Sequence, residues 1–576
     1  MFIKKTPTLR IKGPILWLLM GSVLILYFTA PSLNPFKSGM FGFQDPTQVG
    51  RVTSFVGNLK SGHIPPRLAP EYSFHLGFPV FNFYAPTAYW LTSLIALTGI
   101  SSITAVKLSF LFSMLGAYFG MYFLLSKLFA SKRALAPLLG ASVYVTSTYF
   151  ATEIVVRGNL AECWFLALLP ICLGLIIHNS QSQKRSIQIA TTFLLALLFT
   201  SHNMMMLFAV PTAVIFLLFF PNKRKNILAL GVALLIDSYF LIPAFLEGSL
   251  VQATHVAKEY IYSTHFLCAW QLWTAKGWVF GGSVPGCEDP TEMSFKIGKL
   301  QFILGTLGLS AFLFKIFRQK KISQNNLPLL FIAVFSVGAF FLTLYPSQFI
   351  WDFFSSVMAL FQFPWRFIVF GLFGIAVFAG YLFHAFHFPL QKIIAFTIVL
   401  FLFISGRKYF ITPTMPFDTY QTQYNSDEYF SQHLAYKMPE YLVTIADLPY
   451  WRSLQSSDEK KVDLSFDPAL PTQSTTEYTL IQNTPFEKSL SFMEAGDAII
   501  NIHYFPFWKI MVNDQQVFPT HFDMLARPIM SLDAGDKVTI QYEQTSIEKA
   551  ADILSLIGFI LLFSTPLFLP KIDTRV

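Results

Sequence analysis

Charge is what this sequence has least of. Of its 576 residues only 13% are Asp, Glu, Lys or Arg, against roughly 25% in a soluble globular chain, so water is not its main solvent. Cysteine is scarce too. Cys163 and Cys172 stand in an apolar segment and Cys268 and Cys287 in one long loop, with no CxxC and no Cys/His spacing, so no zinc motif is present. The loop pair fits either one disulfide or two free thiols. Also missing are a Walker A loop, a GxGxxG after a strand, HExxH and GxSxG, which leaves soluble-type nucleotide, zinc-protease and serine-hydrolase chemistry without support. Energy for any reaction then has to arrive with a preactivated substrate.

What the sequence has in abundance is apolar text: 54% hydrophobic residues, 64 of them Phe. Runs of the roughly 17–25 residues that cross a bilayer fall near 14–31, 104–126, 134–151, 161–178, 187–202, 204–220, 227–246, 300–317, 327–345, 364–384, 389–405 and 551–570. That predicts an α-helical polytopic membrane protein with about twelve spans. Basic clusters recur on alternate loops, at Lys127, Lys132 and Arg133, then Lys184 and Arg185, Lys223, Arg224 and Lys225, Lys315, Arg318, Lys320 and Lys321, Lys392, and Lys571 and Arg575. Such loops stay in the cytoplasm, which puts both termini there and makes this a multi-pass protein of the cell membrane. The net charge of +9 then reflects topology and anionic headgroups, not nucleic-acid binding. Lys4, Lys5, Arg10 and Lys12 precede the first run, which reads as an uncleaved span. The stretch 84–99 is short, lacks a basic flank and reads as a juxtamembrane helix in the interface.

Three regions reach the outer side on this reading: loops 32–103 and 247–299 within a transmembrane domain 1–405, and a domain over 406–548 ahead of a final span and cytoplasmic tail at 549–576. In the last outer region AIINIHYF and KVTIQYEQ alternate at the strand period, with turn signals at Asn513-Asp514 and Ala534-Gly535-Asp536. A β-sandwich-like fold is expected there.

Ionisable groups at the apolar boundary are the candidate site. Asp45 and Arg51 lie in the first outer loop with Lys60, His63, Arg67, Glu71 and His75; Asp45 suits a general base, or with Pro46 it starts a turn or caps a helix. Glu153, Arg157, Asn159 and Glu162 stand at an outer helix end, where Arg157 and Glu162 either pair with one another or serve a ligand. His202, in Ser201-His202-Asn203, is a phosphate or proton group or a packing residue. Arg366, in FQFPWRF, breaks the basic-inside pattern and calls for a fixed anionic partner, unless it snorkels beside Trp365. Asp237 sits mid-span without an evident partner. No motif requires a metal, and a divalent cation held by Asp45 and Glu162 stays open.

These segments together resemble a family of bacterial and archaeal membrane proteins named for 6-pyruvoyl-tetrahydropterin synthase, within the C-type (GT-C) glycosyltransferase superfamily. The resemblance is carried by Asp45 with SGHIPPRL, GFPVFNFYAP, VVRGNLAECWFLALLPI, SHN, the run QLWTAKGWVFGGSVPGCEDPTEMSFKIGKLQF and FQFPWRF, over most of residues 30–385. The tail from YFPFWKIMVNDQQV is similar to the β-domain and closing span of bacterial membrane proteins that support glycosylation of cell-surface polymers. What the resemblance implies is a GT-C-like bundle with a cleft for a polyprenyl-phosphate-linked sugar. The activity implied is transfer of that sugar to an extracytoplasmic acceptor, a cell-surface glycan or glycoconjugate, with inversion. Asp45 takes the catalytic position, Arg51, Arg157 and Arg366 bind substrate phosphate, and His202 and Glu162 shape the pocket. Gln44 and Pro46 flank Asp45 where many relatives carry a second acidic residue or His, a departure that bears on activity. His63, His75, His202, His255 and His265 form no zinc motif of the soluble pterin synthase. A non-catalytic handler of lipid-linked carbohydrate, a flippase or an assembly factor, is the alternative with the same fold.

Overall fold

The computed structural model describes residues 13–37, 40–129, 134–259, 262–274, 278, 293–319, 322–386, 389–411, 434, 437–454 and 464–564. All twelve apolar runs are helical there. With the outer helices α2 and α3 they comprise α1 Gly13–Leu33, α2 Thr47–Lys60, α3 Thr87–Ala96, α4 Ser102–Leu128, α5 Leu135–Val145, α6 Leu160–Gln181, α7 Arg185–Phe199, α8 Met206–Leu217, α9 Lys223–Ile236, α10 Ser238–Leu246, α11 Lys299–Gln319, α12 Leu327–Thr343, α13 Ile368–Ala385, α14 Gln391–Gly406 and α15 Ser546–Ser564. Seven of them are long and apolar enough to cross a membrane, or eight if the bent pair α9 and α10 is one span. The rest depart from the simple pattern for physical reasons. Helices α5, α7 and α8 have 11, 15 and 12 residues, short for a hydrocarbon layer of ~30 Å, and α15 opens with Glu548, Lys549 and Asp552.

Helices α6 and α13 form the centre, 89% buried, whereas α1 and α11 turn most of their surface outward at 28%. Close approach at the centre depends on small residues. A side chain at Gly120 would strike Ile171 and the Ala167 carbonyl, and one at Gly308 would meet the Phe378 backbone. Asp237, unexplained by sequence, sits where α9 and α10 bend by 62°. The closing helix mends that bend: Ser555 Oγ accepts from the Tyr239 amide at 2.7 Å and donates to the Ile236 carbonyl at 2.8 Å, replacing backbone bonds the break gives up. Asp237 itself is buried, and its Oδ2 has no hydrogen-bond partner among the described residues.

Described members of three basic clusters meet at one end of the bundle. Lys127 Nζ lies 3.1 Å from His178 Nδ1, Lys225 donates to the Ser182 carbonyl at 3.0 Å, and Arg185 bonds the Phe563 carbonyl. The other end carries α2, α3 and the β-domain. Among the described residues it has eight strands, β1 Thr472–Ser474, β2 Tyr478–Asn483, β3 Glu487–Phe492, β4 Gly496–Ile500, β5 Trp508–Val512, β6 Gln515–Val517, β7 Ile529–Leu532 and β8 Lys537–Tyr542, in a three-stranded sheet ordered β1-β4-β7 and a five-stranded sheet ordered β2-β3-β8-β5-β6, all pairs antiparallel. Burial alternates along β4 (Gly496–Ile500), β7 (Ile529–Leu532) and β8 (Lys537–Tyr542), as expected when one face of each sheet enters a shared core. Asn513 and Asp514, with φ of 50° and 64°, make the two-residue turn between β5 (Trp508–Val512) and β6 (Gln515–Val517). Most of residues 412–463 lies outside the described set, as does Cys287; Cys268 is disulfide-bonded.

Polar contacts tie this domain and the closing helix to the first loop. His503 Nε2 lies 2.6 Å from Ser73 Oγ, which also accepts from Trp451 Nε1 at 2.8 Å. Arg67, fully buried, reaches Asp552 Oδ1 at 2.6 Å, Asn82 Oδ1 at 2.8 Å and the Tyr239 carbonyl at 3.1 Å. Asn82 in turn donates to Glu548 Oε1 at 2.5 Å. First loop, bent helix and closing helix are thereby locked together at one buried cation, a link that sequence reading missed.

Candidate functional site

Between α2, the ends of α6 and α7, and the segment before α13 lies a cavity of about 520 Å³. Asp45, Arg51, Arg157, His202 and Arg366 all line it, joined by Tyr84, Asn159, His265, Trp365, Glu440 and Tyr441. Glu162 is not part of the lining. It stands behind Arg157.

Asp45 does two things at once. Its Oδ1 accepts from the Thr47 amide at 3.2 Å and from Thr47 Oγ1, which starts α2 as a cap would; Oδ2 accepts from Gln48 Nε2 at 2.8 Å and faces Arg51 Nη1 at 3.5 Å. The side chain is still 26% exposed. Its main chain is pinned to the far wall, because the Asp45 amide donates to the Arg157 carbonyl at 3.1 Å.

The three arginines differ in their neighbours. Arg51 is spent on protein: Nη1 donates to Tyr89 Oη at 3.0 Å, Nε and Nη2 meet Met438 Sδ at 3.1 and 2.9 Å, and the guanidinium lies 4.3 Å from the Tyr84 ring centre. Arg157 serves two carboxylates, Glu153 Oε1 at 2.5 Å and Glu162 Oε2 at 2.7 Å, with its face 4.5 Å from the Trp365 ring centre. Both glutamates are fully buried. Asn159 caps α6 by accepting the Glu162 amide at 3.1 Å and holds Glu162 Oε2 at 2.9 Å. Arg366 has no such partner. It donates to the Phe361 carbonyl at 2.9 Å and Gln362 Oε1 at 3.3 Å, lies 5.0 Å over the Phe363 ring, and its Nε is buried without a hydrogen-bond partner. Among the described residues no carboxylate pairs with it.

In Ser201-His202-Asn203, Asn203 is a clamp: Nδ2 donates to the Phe83 carbonyl at 2.5 Å and Oδ1 accepts the Ala85 amide at 2.6 Å. That fixes GFPVFNFYAP beside the cavity, which His202 lines together with Asn203 and Met204; the Met205 amide lies 3.4 Å from His202 Nδ1. Sequence reading missed Glu440 and Tyr441, which reach the cavity from far along the chain with no local signal. Burial pushes the Glu440 carboxyl up. The pair proposed for a divalent cation is poorly placed for it: Glu162 is committed to Arg157, Asp45 to Thr47 and Gln48, and among the described residues no three His, Cys, Asp or Glu cluster. Asp237 and His63 lie elsewhere, His63 with its ring 3.9 Å from that of Phe486.

Fold and cavity define a helical integral membrane protein with a β-domain over one end and a cation-lined cavity beneath it. Residues 81–284, roughly a third of the chain, match the family model described as 6-pyruvoyl-tetrahydropterin synthase related domain, a membrane protein, so the family resemblance read from the sequence is borne out over that stretch. It contains Arg157, Glu162 and His202 but not Asp45, Arg51 or Arg366. A comparison with curated proteins returned no match. Among solved structures the chain is similar to the apo oligosaccharyltransferase of Archaeoglobus fulgidus, at 12% identity and TM-score 0.44. The same protein in complex with an inhibitory peptide and a dolichol-phosphate gives 13% and 0.44. Each match covers 73% of this chain and 60% of the other; the chain thus spans about three fifths of the structures it matches.

Proposed function

We propose that this protein is a membrane glycosyltransferase that moves a sugar from a polyprenyl-phosphate donor to an extracytoplasmic acceptor, in the cell membrane with both termini cytoplasmic. The observation that carries this reading is Arg366, a cation facing a cavity with no carboxylate paired to it among the described residues, in the same cavity as a partly exposed Asp45 carboxylate. A phosphate ester supplies the missing negative charge, and charge-assisted bonds to phosphate are the strong kind. In the reaction the acceptor hydroxyl oxygen bonds to the anomeric carbon, the bond from that carbon to phosphate oxygen breaks, and the hydroxyl proton passes to Asp45. The departing phosphate keeps the electron pair, stabilised by Arg366 and by the N–H groups of Arg157 not held by its glutamates. A single displacement inverts the anomeric centre. Arg51 orients Asp45 rather than holding phosphate, since its N–H groups already meet Tyr89, Met438 and Asp45. His202 and Glu162 shape the wall, and no step requires a metal.

One observation favours the binding-only alternative: Thr47, Gln48 and Arg51 all bond Asp45, which suits a positioning group as well as a base. The two readings separate in an assay of the full chain with radiolabelled polyprenyl-phosphate sugars and a membrane extract as acceptor source. Transfer is expected from the native chain, with a loss of at least ~100-fold in Asp45→Asn and a comparable loss in Arg366→Gln. Retention of donor by native protein with no transfer would leave the handling reading in its place.

A further inference from the structure

The cavity that holds Asp45 and Arg366 also carries a carboxyl from far along the chain, Glu440. Two regions hold its segment in place. On one side the segment joins the residues ahead of the helix Ala253–Glu259: the Gln252 amide donates to the Leu442 carbonyl at 2.8 Å, the Thr444 amide donates to the Leu250 carbonyl at 2.9 Å, and Val251 bridges Val443. On the other side Met438 Sδ lies 3.1 and 2.9 Å from Arg51 Nε and Nη2, and the Tyr441 ring lies 6.4 Å from that of Tyr84. Met438 takes a φ of 64° and the turn Pro439–Tyr441 follows, which sets Glu440 on the cavity wall, within electrostatic reach of Arg51 and Asp45.

The two carboxyl groups differ in what they can still accept. An ionised carboxylate offers about four acceptor positions, and on Asp45 four donors address them: the Thr47 amide, Thr47 Oγ1, Gln48 Nε2 and Arg51 Nη1. Glu440 is bonded by its own amide, and among the described residues no other group donates to it. It is partly exposed, so a ligand in the cavity can reach it. Such a ligand meets Arg366, with no carboxylate paired to it among the described residues, and a carboxyl with acceptor capacity to spare. A lipid phosphate alone answers Arg366 and leaves Glu440 desolvated without a donor, which is costly. A sugar joined to the phosphate answers both, its hydroxyls donating to Glu440. Arg51 already supplies a cation within reach of Glu440, so a neutral hydroxyl suits that position better than an ammonium. The volume of about 520 Å³ falls within the range of small-ligand sites.

We propose that Glu440 is a positioning residue that holds the sugar of a phosphate-linked ligand by accepting hydrogen bonds from its ring hydroxyls. That this sugar is the one transferred rests on the transferase reading; the preference for a sugar-bearing phosphate does not. The test is isothermal titration calorimetry on the full chain in lipid nanodiscs with a matched set of citronellyl phosphodiesters. The methyl ester keeps the singly charged phosphate and lacks a sugar, the glucose, mannose and galactose esters add one, and the ethanolamine ester adds an ammonium. At least one hexose ester is expected to bind at least ~10-fold tighter than the methyl ester, the worth of a charge-assisted hydrogen bond. That preference is expected to fall to within ~2-fold in Glu440→Met, which removes the acceptors, and to shrink at least ~3-fold in Glu440→Gln, which keeps one neutral acceptor. The methyl ester is expected to bind Glu440→Met no more weakly than the native chain. Because Glu440 is partly exposed, Glu440→Gln keeps the test decisive if Glu440→Met fails to fold. Equal affinity for the hexose and methyl esters, a hexose preference unchanged in Glu440→Gln, or an ethanolamine ester bound more tightly than any hexose ester overturns the proposal. Equal affinity for all the esters, lost alike in Arg366→Gln, overturns it while leaving the phosphate site standing. A hexose preference that depends on Glu440, in a chain that never transfers sugar, overturns the transferase reading alone.

Discussion

Arg157 and Arg366 line the same cavity, yet neutralising them is expected to cost very different amounts of stability. Arg157 is 6% exposed and lies 2.5 and 2.7 Å from two fully buried carboxylates. Arg157→Gln leaves Glu153 and Glu162 together without a cation, and breaking a buried pair from one side costs ~3–5 kcal/mol. Arg366 has one bond to a backbone carbonyl, one to an amide and a ring contact. Arg366→Gln removes those but also removes a cation with no carboxylate paired to it among the described residues, so its net effect is expected to be about 1 kcal/mol or less. Thermal unfolding of the full chain in nanodiscs, followed by far-ultraviolet circular dichroism at neutral pH, is expected to show a large loss for Arg157→Gln and a small shift for Arg366→Gln. Adding Glu162→Gln to Arg157→Gln is expected to restore part of the loss, since it removes one stranded charge. If Arg366→Gln unfolds as readily as Arg157→Gln, Arg366 has a counter-ion within the protein, and the case for a phosphate there collapses.

At the bend of α9 and α10, Ser555→Ala removes both an acceptor for the Tyr239 amide and a donor to the Ile236 carbonyl. A loss of ~1–3 kcal/mol is expected, and Ser555→Thr, which keeps the hydroxyl, is expected to retain more of the stability in the same unfolding measurement. The clamp at His503 predicts a pH dependence. Burial holds its imidazole down at about 4, below an unfolded value near ~6.5, so the unfolded chain binds the extra proton first. The stabilisation is therefore complete above pH ~6.5 and lost as pH falls toward 4, by up to ~3 kcal/mol. His503→Gln is expected to flatten that dependence; a native chain whose β-domain stability does not change between pH 7 and 4.5 would contradict it.

How much of this was legible in the sequence depends on how far apart the partners lie. The apolar runs, the strand text and the Asn513-Asp514 turn are local signals: the turn and strands formed as expected, and every run became helix, although only seven or eight of the helices are long and apolar enough to cross a membrane. The candidate residues were legible for a different reason: an ionisable group beside lipid is costly, so Asp45, Arg157, His202 and Arg366 stood out one by one, and the fold brings them to one cavity. Their partners did not stand out. Met438 meets Arg51 from 387 positions away and Asp552 meets Arg67 from 485, separations at which spacing carries no information. Charge counting also treated the three cavity arginines as equals. Their environments among the described residues divide them, since Arg51 is absorbed by tyrosines, Met438 and Asp45, Arg157 by two glutamates, and Arg366 by neutral oxygens and a ring. A guanidinium cannot shed its charge by losing a proton, and among the described residues no carboxylate is paired with Arg366, so the proposed donor phosphate is the anion that would balance it, and that proposal rests on Arg366 more than on Arg51 or Arg157.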